Sequence, residues 1–257
     1  LARARPEGAT LFPPEPCYRY VPSSDTSTIG DHVFAAPNQP AGSIISYFLP
    51  AEGPGESVEL RIFDGGGKKL LRTLTGPAKA GINRAVWDLT EDPSLLLGPD
   101  DRESGFRVRV EGVKVLPGRY RVRMTAGGRE MEQVFDVKLD PRVKAGSADL
   151  AAHDAAVRRM VGMMIDMDRA LYRAGRAADS AGRIPPAVAA ARDKIQPPPE
   201  RPENLNLRQK LTWLLRQVRL YTGRPTRPQS ELIETLDRQL REVLAELDAA
   251  LKTEAGK

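Results

Sequence analysis

Aromatic residues make up only 5% of the 257 residues, and tryptophan occurs twice, at Trp87 and Trp213. A carbohydrate-binding face built on stacked rings needs a row of aromatics, so the supply is thin. Cysteine occurs once, at Cys17, which excludes an intrachain disulfide. The only histidines are His32 and His153, so a catalytic triad or a zinc site would have to draw on those two. There is no His-Glu-x-x-His and no cysteine pair. No apolar run is long enough to span a bilayer, so no membrane span is expected. The chain starts at Leu1 without the apolar core of a signal peptide, which points to a piece of a longer polypeptide. A strong charge of one sign is missing too. Residues 1–146 carry 20 basic and 19 acidic side chains, and residues 147–257 carry 19 and 15. Nucleic-acid binding calls for a concentrated basic stripe, so no nucleic-acid partner is expected.

Prolines dominate the start. Pro6, Pro13, Pro14, Pro16, Pro22, Pro37 and Pro40 forbid a regular helix or a central strand over 1–40. Leu11, Phe12, Tyr18, Tyr20, Val33 and Phe34 are too apolar for a free linker. The arm is therefore expected to be an extended connector packed along a neighbouring surface.

Strand periodicity follows over 41–140. Ser43–Leu49 is a short apolar run. Val58, Leu60 and Ile62 alternate with Glu59 and Arg61. Asp64-Gly65-Gly66-Gly67 predicts a hairpin turn, because glycine supplies positive φ angles. Leu70–Leu74 returns, and Gly76-Pro77 is expected to break it. Asn83–Leu89, Phe106–Val110, Tyr120–Met124 and Met131–Leu139 complete about seven strands in about a hundred residues, the spacing of a two-sheet sandwich. Trp87 is expected as its buried anchor, and Tyr120, after Pro117-Gly118, as a tyrosine corner.

Helical periodicity takes over at 147–257. Leu150, Val157, Met160, Met164, Met167 and Leu171 share one face, with Ser147 as N-cap. A Pro-rich insertion near 182–202 leaves room for one short helix, Pro186–Ile195. Leu207, Leu211, Leu214, Val218 and Tyr221 form a second stripe. Leu232, Leu236, Leu240, Val243, Leu247 and Leu251 form a third, opened by a capping box from Thr226 to Gln229. The expected class is α+β in separate segments: an immunoglobulin or fibronectin III-like β-sandwich, then an antiparallel α-helical bundle.

Several pieces together resemble a known family. They are Leu11-Phe12-Pro13-Pro14-Glu15-Pro16-Cys17-Tyr18-Arg19, Ile44-Ile45-Ser46-Tyr47-Phe48-Leu49-Pro50, Val58–Asp64, Ala80-Gly81-Ile82-Asn83-Arg84-Ala85-Val86-Trp87-Asp88-Leu89, Leu116–Val122, Asp140-Pro141-Arg142 and Ala148-Asp149-Leu150. The chain resembles the region after the β-propeller in large bacterial secreted proteins of the sortilin-like, BNR-repeat type, often labelled glycosyl hydrolases. The resemblance implies a secreted or periplasmic, cell-envelope location and a β-propeller partner. It supplies no catalytic residue, because no Asp-box repeats occur within the chain.

Candidate chemistry is sparse. Asp64-Gly65-Gly66-Gly67-Lys68-Lys69 lacks the spacing and the following helix of a phosphate loop. Asp92, Asp100, Asp101 and Glu103 offer hard oxygen ligands for calcium. They match no EF-hand, and aspartate is common in turns. Asp166 and Asp168 lie two apart on a helix and so point to different sides. Met160, Met163, Met164 and Met167 could line an adaptable groove, but suit core filling better. The expectation is a chain without catalytic residues, cofactor or metal, serving as an accessory module that docks on a β-propeller or another protein. The alternatives are carbohydrate binding, which needs Trp87, Tyr47 and Tyr120 exposed, and completion of a glycoside hydrolase whose active site lies in a propeller.

Overall fold

A computed structural model describes residues 8–20, 39–52, 57–92, 112–178, 182–197 and 206–255. The chain divides into two compact units. Residues 1–92 and 114–144 form a β unit, and 93–113 with 145–257 form a helical unit. The class is α+β.

The β unit has two sheets. A three-stranded sheet has the order β1 (Thr10–Leu11), β3 (Ser43–Leu49), β6 (Gly81–Trp87). A five-stranded sheet has the order β2 (Cys17–Arg19), β8 (Arg129–Leu139), β7 (Gly118–Ala126), β4 (Ser57–Asp64), β5 (Leu70–Pro77). The larger sheet is mixed, because β2 runs parallel to β8 while its other pairs are antiparallel. Residues from both sheets join one core, including Ile45, Tyr47, Leu60, Ile62, Trp87, Val122 and Phe135. The described residues of the Pro-rich arm pass from an edge of one sheet to an edge of the other. Pro13, Pro14 and Pro16 fall between β1 and β2, where no ladder donor is required. Leu11 and Cys17 are buried on either side of them.

The Asp64–Gly67 hairpin forms as its glycines require. The Gly67 N–H donates to the Asp64 carbonyl at 2.9 Å, and Gly67 sits at φ 71°. Gly76-Pro77 does not break β5 but ends it, pairing with Val58 and Ser57. A proline is tolerated there because β5 is an edge strand. Trp87 is fully buried. Tyr120 and Phe135 meet it edge-on at 5.5 and 5.9 Å between ring centroids, and its indole N–H donates to the Thr90 carbonyl at 2.9 Å. Leu89, at φ 63°, turns the chain back so that Thr90 can accept that bond. The Tyr120 hydroxyl donates to the Leu116 carbonyl at 2.5 Å, four residues upstream. The expected strand Phe106–Val110 and the acids Asp100, Asp101 and Glu103 lie outside the described residues, as do His32 and Asp31.

The helical unit contains α1 (Ser147–Arg176), α2 (Pro186–Ile195), α3 (Leu207–Arg219) and α4 (Arg227–Ala255). Ser147 is not the N-cap of α1. Gly146 holds that position in extended geometry, no side chain caps the end, and the Gly146 carbonyl receives the Asp149 and Leu150 N–H groups. α3 has a full capping box between Asn206 and Gln209. Thr226 and Gln229 exchange the reciprocal bonds at the start of α4. Apart from Leu150 and Tyr221, the three apolar stripes converge on one core. All four clustered methionines of α1 are buried in it, and Val113 joins it from outside the helices. Tyr221 does not continue the α3 stripe. It lies beyond the last helical turn, partly exposed, and its hydroxyl donates to the Arg224 carbonyl at 2.6 Å. Contacts between α1 and α3 run from His153–Val218 through Met164–Thr212 to Asp168–Arg208. Those between α1 and α4 run from Arg159–Asp237 to Arg173–Asp248.

Candidate functional site

The outward faces of the two sheets differ in chemistry. Alternation sends Ile45, Tyr47 and Leu49 of β3 and Ala85 and Trp87 of β6 into the core. Their neighbours Ile44, Ser46, Phe48, Ile82, Arg84 and Val86 therefore face outward. Cross-strand pairing places Ile44 opposite Val86, Ser46 opposite Arg84 and Phe48 opposite Ile82. Ile82 is 56% exposed and Val86 40% exposed. Fully burying an aliphatic side chain is worth about 1.5–3 kcal/mol. The exposed parts of these two thus hold about 2 kcal/mol that a covering surface would recover.

The outward face of the five-stranded sheet pairs most of its charges and also exposes Val134 and Tyr18, at 41% and 48%. Arg61 reaches Glu130 at 2.9 Å, and Arg121 and Arg123 both reach Glu132, at 2.5 and 2.7 Å. The Arg123 and Arg121 bonds hold the Glu132 carboxyl below its ordinary range. Arg119 lies 3.7 Å from Asp136, and the Arg123 guanidinium covers the Phe63 ring at 4.4 Å. A balanced ladder of this kind is a solvated face. The outward face of β3 and β6, where exposed Ile82 and Val86 adjoin half-buried Ile44 and Phe48, is the candidate site.

The other singled-out residues have structural places. The Asp64 carboxylate accepts the Lys68 and Lys69 backbone N–H groups at 2.9 and 3.1 Å, which keeps its pKa below the ordinary value, the Lys69 bond most of all. Those amides are the donors a phosphate would have needed. His153 is buried, with Nε2 3.0 Å from the Val218 carbonyl, so it packs α1 against α3. Asp166 pairs with Arg169 at 3.1 Å on the outside of α1, whereas Asp168 is half-buried against Arg208. Cys17 is buried, which pushes its thiol pKa up. Asp92 donates its N–H to the Leu71 carbonyl at 2.7 Å. Among the described residues no group of three or more His, Cys, Asp or Glu side chains is placed to hold a metal, and no helix is long and apolar enough to cross a membrane. Trp87, Tyr47 and Tyr120, the rings a sugar-stacking platform required, are all buried.

Sequence alternation did not single out Ile82 and Val86, because β6 carries apolar residues on both faces. The signal was present in the inward face: Asn83 is buried, and its amide is satisfied by the Lys79 and Gly81 carbonyls at 2.7 and 3.1 Å. No protein-family model matches the chain, and no curated protein matches it.

Proposed function

We propose that the chain is a non-catalytic accessory and interaction module of a larger secreted protein of the sortilin-like, BNR-repeat type. It docks on and braces a β-propeller through the outward face of β3 and β6. The observation that carries this reading is the apolar row of Ile44, Phe48, Ile82 and Val86, in which Ile82 and Val86 are exposed and Ile44 and Phe48 half-buried, beside a second sheet whose outward face carries a charge ladder.

The β unit is read as an immunoglobulin or fibronectin III-like sandwich. Support comes from the single core drawn from both sheets, from Trp87 at its centre, and from the Tyr120–Leu116 bond, which has the form of a tyrosine corner. The helices are read as an antiparallel bundle. His153–Val218 and Asp168–Arg208 pair rising numbers on α1 with falling numbers on α3. Arg159–Asp237 and Arg173–Asp248 rise together on α1 and α4. That is an up-down-up order with a short turn between α3 and α4.

Calorimetric titration of the chain with a sortilin-like β-propeller tests the function. Stoichiometric binding is expected, lost in Ile82→Lys/Val86→Lys and kept in Arg121→Lys. Glycoside turnover by the purified chain that disappears on replacing one carboxylate would overturn the proposal, as would binding indifferent to Ile82 and Val86.

A further inference from the structure

The helical unit presents a second surface of different chemistry. Residues 204–230 contain six basic side chains and no acidic one. Four of the six are engaged: Arg208 with Asp168, Arg219 with the Gly112 carbonyl, Arg224 with Asp149 and Arg227 with Glu231. Several cations elsewhere on the helices are paired in the same way, as in Arg158–Asp154, Arg159–Asp237, Arg173–Asp248 and Lys194–Glu246. Lys210 and Arg216 stand outside these pairs, as Arg176, Arg238 and Lys252 do on the other helices. Lys210 and Arg216 are exposed, and neither forms an ion pair among the described residues.

They flank Trp213 at three residues on either side, so all three side chains stand on the outer face of α3. Trp213 is 58% exposed, and Leu220, one turn beyond Arg216, is 55% exposed. The broad apolar stripe of α3, Leu207, Leu211, Leu214, Leu215 and Val218, is already spent in the helical core. An exposed indole is thus held between two uncompensated positive charges on a helix without acids. Tryptophan is among the residues that most often anchor protein interfaces.

We propose that the outer face of α3 docks an acidic segment of a protein partner, one that places an apolar side chain on Trp213 and Leu220 and carboxylates beside Lys210 and Arg216. Six helical residues separate the two cations along the axis by about 9 Å, which sets the spacing of the partner's carboxylates. Two free cations are too few for a nucleic-acid track, whose affinity grows with each phosphate neutralised. One ring and one leucine are too narrow for a lipid surface, which needs a wide apolar face on the helix. The proposal rests on the interaction-module reading, but uses a separate surface on the other unit.

The test uses the whole chain and four probes. These are a fluorescein-labelled amphipathic peptide with Asp and Glu flanking Leu and Phe, its Lys and Arg counterpart, an oligo-dT strand, and vesicles of phosphatidylcholine with phosphatidylglycerol. The acidic peptide is expected to bind and to shift Trp213 emission to the blue. Binding should weaken about tenfold in Trp213→Ala, and also in Lys210→Glu/Arg216→Glu, whose residues are exposed and outside the core. It should weaken about threefold as salt rises from about 50 to about 300 mM. Ile82→Lys/Val86→Lys should leave it unchanged, so failure of the sheet surface and failure of this one are read separately. Equal binding of the basic peptide, preference for oligo-dT or for vesicles, no binding of the acidic peptide, or binding unaffected by the α3 variants would each overturn the proposal.

Discussion

Replacing Trp87 by alanine removes the largest side chain fully buried in the β unit. A buried tryptophan cut to alanine costs about 3–5 kcal/mol in transfer and cavity terms. The edge-on contacts with Tyr120 and Phe135 add about 0.5–1.5 kcal/mol each where they are not already counted in buried area. The Thr90 carbonyl loses its indole donor, but Thr90 is half-exposed and water can replace it, so that loss is about 1 kcal/mol or less. The sum is about 4–6 kcal/mol, close to the entire stability of a marginal domain. Trp87→Phe keeps a ring and should cost about 2 kcal/mol. Ile82→Ala, on the outward side of the same strand, should stay within about 0.5 kcal/mol. Native-state hydrogen exchange followed by mass spectrometry reads the two units apart. Trp87→Ala should open the amides of β3, β4, β6, β7 and β8 while α1, α3 and α4 keep their protection. Retained protection in β3 and β7, or an equal penalty for Ile82→Ala, would refute the assignment of Trp87 as the anchor of the core.

Four further outcomes are expected. Gly42→Ala places a Cβ 2.0 Å from the Trp87 carbonyl oxygen at φ 132°, a backbone clash that should cost about 3 kcal/mol in chemical denaturation. Asn206→Ala removes the reciprocal cap of α3 and should cost about 1 kcal/mol, read as an earlier helical unfolding midpoint. Burial pushes the Asp237 carboxyl up, but bonds from Arg159 and Arg241 outweigh it and hold the pKa below the ordinary value. Its contribution is therefore full above the unfolded value near ~3.9 and is lost as pH falls through the lower folded value. Arg241 is largely exposed and Arg159 partly so, and solvent screens both, so Asp237→Asn should cost only about 1 kcal/mol at neutral pH, and the gap to the wild type should close in acid. Asp140, held to about 2 by Arg142, should make the β unit lose stability between about pH 4 and pH 2 in the wild type, and Asp140→Asn should flatten that dependence.

Much of the architecture was legible because it is written in local periods. Val58, Leu60 and Ile62 of β4 alternate in sequence as they do in the sheet, and most side chains of the α1, α3 and α4 stripes meet in the helical core. Trp213 could have been found by its offset: it lies one residue before Leu214 and so falls off the α3 stripe. What escaped the sequence is non-local. β1 and β2 are two and three residues long, lie in a proline-rich arm, and exist only because distant strands offer edges to pair with. The five-stranded sheet is mixed for the same reason: the parallel register of Cys17 with Val137 joins segments about 120 residues apart. Val113 belongs to the helical core although it sits between strands in sequence, which no period could announce.

Docking through β3 and β6 is read most directly by amide hydrogen exchange of the chain alone and with a sortilin-like β-propeller in excess. Slowed exchange is expected in Ser43–Leu49 and Gly81–Trp87, with β7 and β8 unchanged and no glycoside turnover by the chain itself. Protection confined to the charged ladder of Arg119, Arg121 and Arg123, or no protection at saturating propeller, would contradict it.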